Sequence, residues 1–351
     1  MTKSLRSKVF VALSGGIDSA VAALLLLRQG WRVEGITMRL VASSAPNGKG
    51  DLVAEAAAVA AALGIPHHLV DLKEAFCRHV IEPFRDEYLR GRTPNPCVVC
   101  NGAVKFGLLR EEARRRGGDF FATGHYARIV DAGGHRLLAK GYDPGKDQSY
   151  FLFLLTQEQL GGTLFPLGEL TKERVRQIAA ENQLDRADRD ESQDICFIGS
   201  EGYGGFLRRD CGVIGREGEI RHITGRILGR HQGIHLFTVG QRRGLGLSWP
   251  EPLYVLCLDA EQNRVIVGER RHLAATHLEA KGVRWISSAP QGPLSCRCRI
   301  RYRHREAAAV VLPLGEQRVA VDFREPQIGI TPGQAAVFYQ GDLVMGGGWI
   351  V

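Results

Sequence analysis

Two short stretches of this sequence carry residue types that do chemistry at spacings that chemistry uses. The first is Ser14-Gly15-Gly16-Ile17-Asp18-Ser19; the second is Thr93-Pro94-Asn95-Pro96-Cys97-Val98-Val99-Cys100-Asn101, with two cysteines at C-x-x-C spacing after a proline-broken loop. Glycines let a backbone approach a phosphate without a Cβ clash, and two serines add hydroxyl donors. Asp18 is poorly placed beside a phosphate unless a metal, with Mg²⁺ the natural candidate, or another residue offsets its charge. The glycine pattern is not the Walker A loop, because no Gly-Lys-Ser/Thr follows. The cysteine pair is open to three readings: a redox switch, part of a metal site, or a nucleophile with a neighbour.

The elements that must position these residues follow from the surrounding pattern. Residues 8–13 (KVFVAL) form an apolar, β-branched run, and SAVAALLLLRQG after the glycine loop is helical in composition, stopping at Gly30. The serine-glycine loop therefore joins a strand to a helix, where unpaired N–H groups and the positive end of the helix dipole converge on one spot. Further strands are expected at residues 32–38, 68–71 and 120–124, and helices at 51–63, 74–89 and 104–116. Strands alternating with helices imply an α/β domain with a doubly wound parallel sheet. Beyond about residue 205 helical signals fade into short β-like runs, including 234–239, 253–258 and 264–267, among frequent glycines. The last seventy or so residues resemble the strands of a small β-barrel. The expected domains are 1–205, catalytic; 206–275, a small β-rich central domain; and 276–351, a C-terminal β-barrel. Gly244-Leu245-Gly246 and Gly346-Gly347-Gly348 are expected to be loops and bends.

With 351 residues, 44% of them hydrophobic, the chain needs neither disulfides nor metal to fold. The apolar run near the N-terminus is too short for a signal peptide, and none approaches a membrane span, so a cytoplasmic location is expected. There the eight cysteines are not a disulfide framework. Cys296 and Cys298 fall on one face of a strand and are expected to pack rather than bind metal. A net charge of +8 and arginine clusters at 114–116, 208–209, 242–243, 270–271 and 301–305 suit a phosphate backbone as partner, although any one cluster is equally a solvated surface.

The glycine loop resembles the PP-loop of the ATP pyrophosphatase superfamily, which splits ATP between the α and β phosphates. The narrower resemblance rests on residues 91–96 (GRTPNP), Cys100-Asn101 with Lys105-Phe106, 122–126 (ATGHY), 146–151 (KDQSYF), 195–199 (ICFIG), 238–242 (TVGQR) and 331–334 (TPGQ). Together, in consistent order from about residue 8 to the C-terminus, they resemble the tRNA-specific 2-thiouridylase family, MnmA. That resemblance implies ATP-dependent replacement of the 2-oxygen of the wobble uridine, position 34, in tRNAs for Lys, Glu and Gln. It implies adenylation of that oxygen, with AMP and pyrophosphate as products. Ala12, Leu13, Ser14, Gly15, Gly16, Ile17, Asp18 and Ser19 would bind ATP, with Met38 and Gly124 near the adenosine. Asn95, Pro96 and Cys97 would meet the target base. His125, Lys146, Asp147, Gln148, Arg301, Tyr302 and Gln334 match tRNA-contacting positions. Cys196 would receive sulfur as a persulfide from a relay protein and Cys100 would resolve it. Cys100 is expected just before a helix start, with Lys105 nearby, an arrangement that favours a thiolate.

One position departs from the family pattern. Cys97 stands where the family has aspartate, which removes a carboxylate and adds a third cysteine to Cys100 and Cys196. The resemblance implies an alternative sulfur source: three-cysteine sites of this pattern in related thiolases hold a [4Fe–4S] cluster by three irons and leave the fourth free to carry a hydrosulfide, and thiolate ligation of that sort is ordinary iron–sulfur chemistry. A zinc site lacks an obvious fourth ligand. A thiol relay needs only Cys100 and Cys196. A PP-loop ligase and a tRNA- or iron–sulfur-binding module that has lost catalysis are the competing functions.

Overall fold

The computed structural model describes residues 7–40, 51–184 and 195–351. These fall into two compact units, one of Met1–Val80, Cys97–Phe197 and Gly341–Met345, the other of Ile81–Pro96, Ile198–Gln340 and Gly346–Val351.

In the first unit, strand β1 (Lys8–Ala12) leads into helix α1 (Ile17–Arg28), followed by β2 (Arg32–Arg39), helix α2 (Leu52–Ala62), β3 (His67–Asp71), β4 (Phe120–Ala122), the hairpin β5 (Ala127–Ala132) and β6 (His135–Lys140), and β7 (Thr163–Leu164). The parallel sheet runs in the order β3-β2-β1-β4-β7. The chain thus builds outward from β1 on one side and then returns to its other side. The crevice beyond the carboxyl ends of β1 and β4 is where such a reversal leaves room for a ligand. Alanine-rich α1 can lie between two apolar clusters because its side chains are small: Ala23 and Leu26 pack with Val9, Val11 and Ala60. Ala20, Val21 and Ala22 pack with Tyr126, Leu167 and Val175 on the other side.

Residues 96–115 form one helical run, α-helical at Pro96–Val99, π-helical at Cys100–Leu109 and α-helical again at Arg110–Arg115. It begins well before the residue 104 expected from sequence. Proline lacks only an N–H that the first helical position leaves unpaired anyway, and its fixed φ suits a helix start. Cys97, rather than Cys100, therefore lies at the helix beginning. π-Helical segments are rare and concentrate at functional sites.

The second unit holds a four-stranded sheet of β8 (Gly218–His222), β9 (Ile227–His231), β10 (Leu253–Asp259) and β11 (Arg264–Glu269), in the order β10-β11-β8-β9. Its core is Ile220, Val255, Val265, Val267 and Phe237. Residues 234–236 form a short 3₁₀ turn rather than a strand. Gly233, at φ +154°, lies so close over the buried His235 that a Cβ there would be 2.4 Å from the imidazole. Strands β12 (Ala274–Trp285), β13 (Leu294–Arg299), β14 (Ala307–Gly315), β15 (Arg318–Ile328), β16 (Ala335–Gln340) and β17 (Leu343–Ile350) follow in the order β12-β15-β14-β13-β16-β17. Pairing of β12 with β17 closes the barrel, which removes both sheet edges. Gly346 and Gly348 lie inside β17, correcting the expected loop: a Cβ on Gly346 would be 2.3 Å from the Arg284 carbonyl oxygen. They permit close approach of two barrel strands. The α/β sheet, β-rich middle region and C-terminal barrel are the fold class expected from sequence.

Candidate active site

The glycine loop leaves the carboxyl end of β1 and is closed on itself by its two serines. The Ser14 N–H donates to Ser19 Oγ at 3.2 Å, and the Ser19 hydroxyl donates to the Gly16 carbonyl at 2.9 Å. Gly15 takes φ +80°, and a Cβ there would lie 2.7 Å from Glu55 Cβ of α2. Gly16 is the N-cap of α1 and makes no side-chain cap, so the first N–H groups of this twelve-residue helix receive no side-chain cap from it. Ahead of the loop, the Thr37 hydroxyl donates to the Leu13 carbonyl at 2.9 Å and contacts His67 Nε2 at 2.8 Å. Since the hydroxyl has only one hydrogen, His67 Nε2–H donates to Thr37 Oγ1. Burial lowers the His67 pKa, in keeping with that neutral tautomer.

Ala12, Met38 and Gly124 gather at one sheet edge. Ala12 pairs with Ile36 of β2, two residues before half-buried Met38, and Gly124 follows β4 on the opposite side of β1. Gly124 packs directly on the start of α1, where a Cβ would be 2.8 Å from the Asp18 carbonyl carbon and 2.9 Å from Ser19 N. The Asp18 charge is met by two partners that the motifs did not assign to it. Lys172 Nζ donates to Asp18 Oδ1 at 2.7 Å, and the Tyr126 hydroxyl donates to the same oxygen at 2.8 Å.

Cys97, Cys100 and Cys196 belong to the first unit and are close enough to perturb one another's ionisation. All three are free thiols. Burial pushes Cys97 up to about 12, helped by its two cysteine neighbours, and pushes Cys100 up to about 11; Cys196 is raised by the same cause. Lys105, on the π-helical segment that begins at Cys100, opposes the rise at all three. The thiolate expected at Cys100 from Lys105 and a helix dipole is thus outweighed by desolvation. Among the described residues no group of three His, Cys, Asp or Glu side chains is arranged to hold a metal ion. The three cysteines supply the donor type that an iron–sulfur cluster takes.

His125 connects the two halves of this site. It follows Gly124 in the chain, is 8% exposed, and sets Nδ1 2.7 Å from Thr123 Oγ1 and Nε2 3.5 Å from Lys105 Nζ. An ammonium only donates, so Nε2 is the acceptor and Nδ1 carries the proton. Burial, with Lys105 adding, holds the imidazole well below its usual pKa, so it is neutral at pH 7. Asp147 is 4% exposed and accepts from the Gly141 and Ser149 N–H groups, while Gln148 Oε1 accepts from the Tyr126 N–H. These two side chains shape the loop that presents half-buried Lys146.

In the second unit, half-buried Gln334 donates through Nε2 to the carbonyls of Thr93 (2.9 Å) and Pro94 (3.3 Å), and the Thr93 N–H donates to the Pro332 carbonyl at 2.8 Å. The TPGQ turn between β15 and β16 thereby holds the segment that ends at Asn95 and Pro96. Exposed Arg301 donates to the Ile328 carbonyl, beside half-buried Tyr302. The arginine clusters divide. Arg114, Arg115 and Arg116 pair with Glu111 and Glu112 on their own helix, whereas Arg242 and Arg243 are exposed with no ion pair among the described residues. Cys298 is fully buried and Cys296 half-buried, as packing requires.

Sequence reasoning missed Lys172, Tyr126 as a partner of Asp18, and the Thr37–His67 pair. Only one signal for Lys172 was present: Thr171 before an amphipathic run, which the structure realises as an N-cap accepting from the Arg174 N–H.

Residues 7–200 match the family described as the tRNA methyl transferase HUP domain, residues 205–269 the tRNA methyl transferase PRC-barrel domain, and residues 275–350 the aminomethyltransferase beta-barrel domain. The chain is 55% identical over 351 residues to the tRNA-specific 2-thiouridylase MnmA of Syntrophotalea carbinolica, with 99% of each chain covered. It is 49% identical over 362 residues to that of Geobacter metallireducens, covering 100% of this chain and 98% of the relative. With that of Pelobacter propionicus it shares 48% identity over 345 residues, covering 98% and 97%.

Proposed function

We propose that this chain, which belongs to the tRNA-specific 2-thiouridylase family MnmA, is an ATP-dependent tRNA sulfurtransferase that converts the wobble uridine, position 34, to 2-thiouridine. One observation carries the reading: the 123–125 segment puts Gly124 against the phosphate loop and His125 against Lys105, the cation shared by three cysteines. An ATP site and a thiol site are thus joined through adjacent residues. Residues 1–205 form the catalytic domain in this reading, 206–275 a central domain and 276–351 the barrel.

The chemistry follows from what each group supplies. A urea-like carbonyl oxygen leaves poorly, so the uridine 2-oxygen attacks the α-phosphorus of ATP, held by residues 12–19 with Met38 and Gly124 at the adenosine. Pyrophosphate departs, its charge met by the loop N–H groups and Lys146. ATP enters as its Mg²⁺ complex, the metal arriving with the substrate. A persulfide on Cys196, loaded by a sulfur-carrying protein, attacks C2 and expels AMP. Cys100 then attacks Cys196 Sγ, releasing the thiolated base and leaving a Cys100–Cys196 disulfide that an external thiol must reduce. Thiols whose pKa values are raised by desolvation suit cysteines kept unreactive until base and adenylate arrive. The substrates are tRNAs for Lys, Glu and Gln, met by Asn95, Pro96 and Cys97 at the base and by His125, Lys146, Asp147, Gln148, Arg301, Tyr302 and Gln334 along the tRNA. His125, Asp147, Gln148 and Gln334 contribute by shaping the surfaces they support. The site is cytoplasmic in this reading, and no described helix is long and apolar enough to cross a membrane.

Incubation with ATP, Mg²⁺, a sulfur source and unmodified tRNA is expected to yield 2-thiouridine and AMP. Formation of ADP, or thiolation of another nucleotide, would overturn the reading. Anaerobic purification with iron and sulfide analysis decides the role of Cys97. Iron-free, fully active protein that tolerates Cys97→Asp supports the thiol relay; iron-dependent activity lost in Cys97→Ala would replace the relay with a [4Fe–4S] cluster on Cys97, Cys100 and Cys196, fed by hydrosulfide.

A further inference from the structure

Asp18 presents an electrostatic problem at the phosphate loop. It lies in the first turn of α1, two residues past the N-cap, where its carboxylate competes with a bound anion for the positive end of the helix and repels a triphosphate. Two groups distant in sequence converge on its Oδ1: Lys172 Nζ at 2.7 Å and the Tyr126 hydroxyl at 2.8 Å. The Lys172 side chain is only 9% exposed, and its ammonium also lies 6.0 Å from the centre of the Tyr126 ring. A lysine is rarely placed this deep unless its charge is paired.

Both partners are anchored on the same loop, residues 141–149. The Lys172 N–H donates to Asp143 Oδ2 at 2.9 Å, and Asp143 also accepts the Gly145 N–H at Oδ1 and the Lys146 N–H at its carbonyl. Tyr126 and Gln148 are held by two bonds: the Tyr126 N–H donates to the Gln148 side-chain oxygen Oε1 at 3.0 Å, and the Tyr126 carbonyl accepts the Gln148 N–H at 2.9 Å. We propose that Lys172 is a positioning residue of the ATP site, acting through Asp18: anchored on the 141–149 loop, it cancels the Asp18 charge and fixes its carboxylate so that a triphosphate can occupy the phosphate loop. This rests on the reading that the loop binds ATP.

The test measures ATP and adenosine affinity by equilibrium dialysis on the full chain, with melting curves for each variant. In Lys172→Gln the uncovered carboxylate weakens ATP by about tenfold or more, as expected for an unscreened like charge within a few ångströms, while adenosine changes less than about twofold because it carries no phosphate. Asp18→Asn combined with Lys172→Gln restores ATP affinity to within about threefold of wild type, because the charge that Lys172 served to cancel is gone. Equal loss of ATP and adenosine would reduce Lys172 to a structural role, and unchanged ATP affinity in Lys172→Gln would remove any role. A double variant as weak as Lys172→Gln would mean that the ammonium meets phosphate directly, overturning action through Asp18. Failure of the wild-type chain to bind ATP sinks the underlying reading instead, an outcome distinct from the other three.

Discussion

Gly124→Ala tests the geometry of the proposed ATP site at a close backbone contact. The new Cβ would stand 2.8 Å from the Asp18 carbonyl carbon, 2.9 Å from Ser19 N and 3.0 Å from Asp18 O. Ordinary contact begins at 3.4 Å, so relief needs a shift of about 0.6 Å, the difference between 3.4 and 2.8. The obstructing atoms are backbone in the first turn of α1, so no side chain can swing aside; the loop after β4 and the phosphate loop must part. Overpacking of this kind costs about 1–3 kcal/mol. Borne by the loop that must close on phosphate, that corresponds to a loss of about 5- to 150-fold in ATP affinity. Titration calorimetry with ATP measures it, and a melting curve separates it from global unfolding. Gly161→Ala is the control, because nothing lies within 4 Å of its Cβ position and its backbone is not left-handed. ATP binding by Gly124→Ala within about twofold of wild type would show that this contact does not set the loop, and would refute the reasoning.

Two further outcomes follow from the thiols and the barrel turn. With Cys100 near 11 and Cys97 near 12, thiolate at pH 8 amounts to about one part in 10³ and 10⁴. Iodoacetamide labelling, read by mass spectrometry, is therefore slow at pH 8, accelerates about tenfold per pH unit toward those values, and slows further in Lys105→Gln, which removes the cation that lowers them. Rapid labelling of either thiol at pH 7 would contradict the desolvation account. Gln334→Ala removes both hydrogen bonds to the Thr93 and Pro94 carbonyls. It should destabilise the protein by about 1–3 kcal/mol and speed proteolysis at residues 91–95; an unchanged melting temperature and cleavage rate would count against the turn as the clamp of that segment.

Reading the sequence recovered what local pattern encodes. The strand–loop–helix context of Ser14 to Ser19 depends on an apolar run, two glycines and an alanine-rich helix, all contiguous, and the parallel sheet follows from strands alternating with helices. The barrel strands were legible because they are short apolar or alternating runs bounded by turn residues. Local pattern failed where a distant neighbour set the conformation. Gly346 and Gly348 read as a bend, yet they are strand residues whose missing Cβ lets Arg284 and Val283 approach. Residues 234–236 alternate like a strand, but packing of His235 under Gly233 turns them.

The same division runs through the site. By itself the sequence determined which residues could do chemistry: the phosphate loop, three cysteines, and the departure at position 97. Only the tertiary structure decided their state. It brought Lys172, 154 residues away, onto Asp18, joined His125 to Lys105, and packed enough protein around half-buried Cys97 and Cys100 that desolvation outweighs the nearby cation. Spacing along the chain fixes which groups are available, but charge compensation and desolvation depend on every atom packed around a group, and those atoms come from elements that no local motif connects.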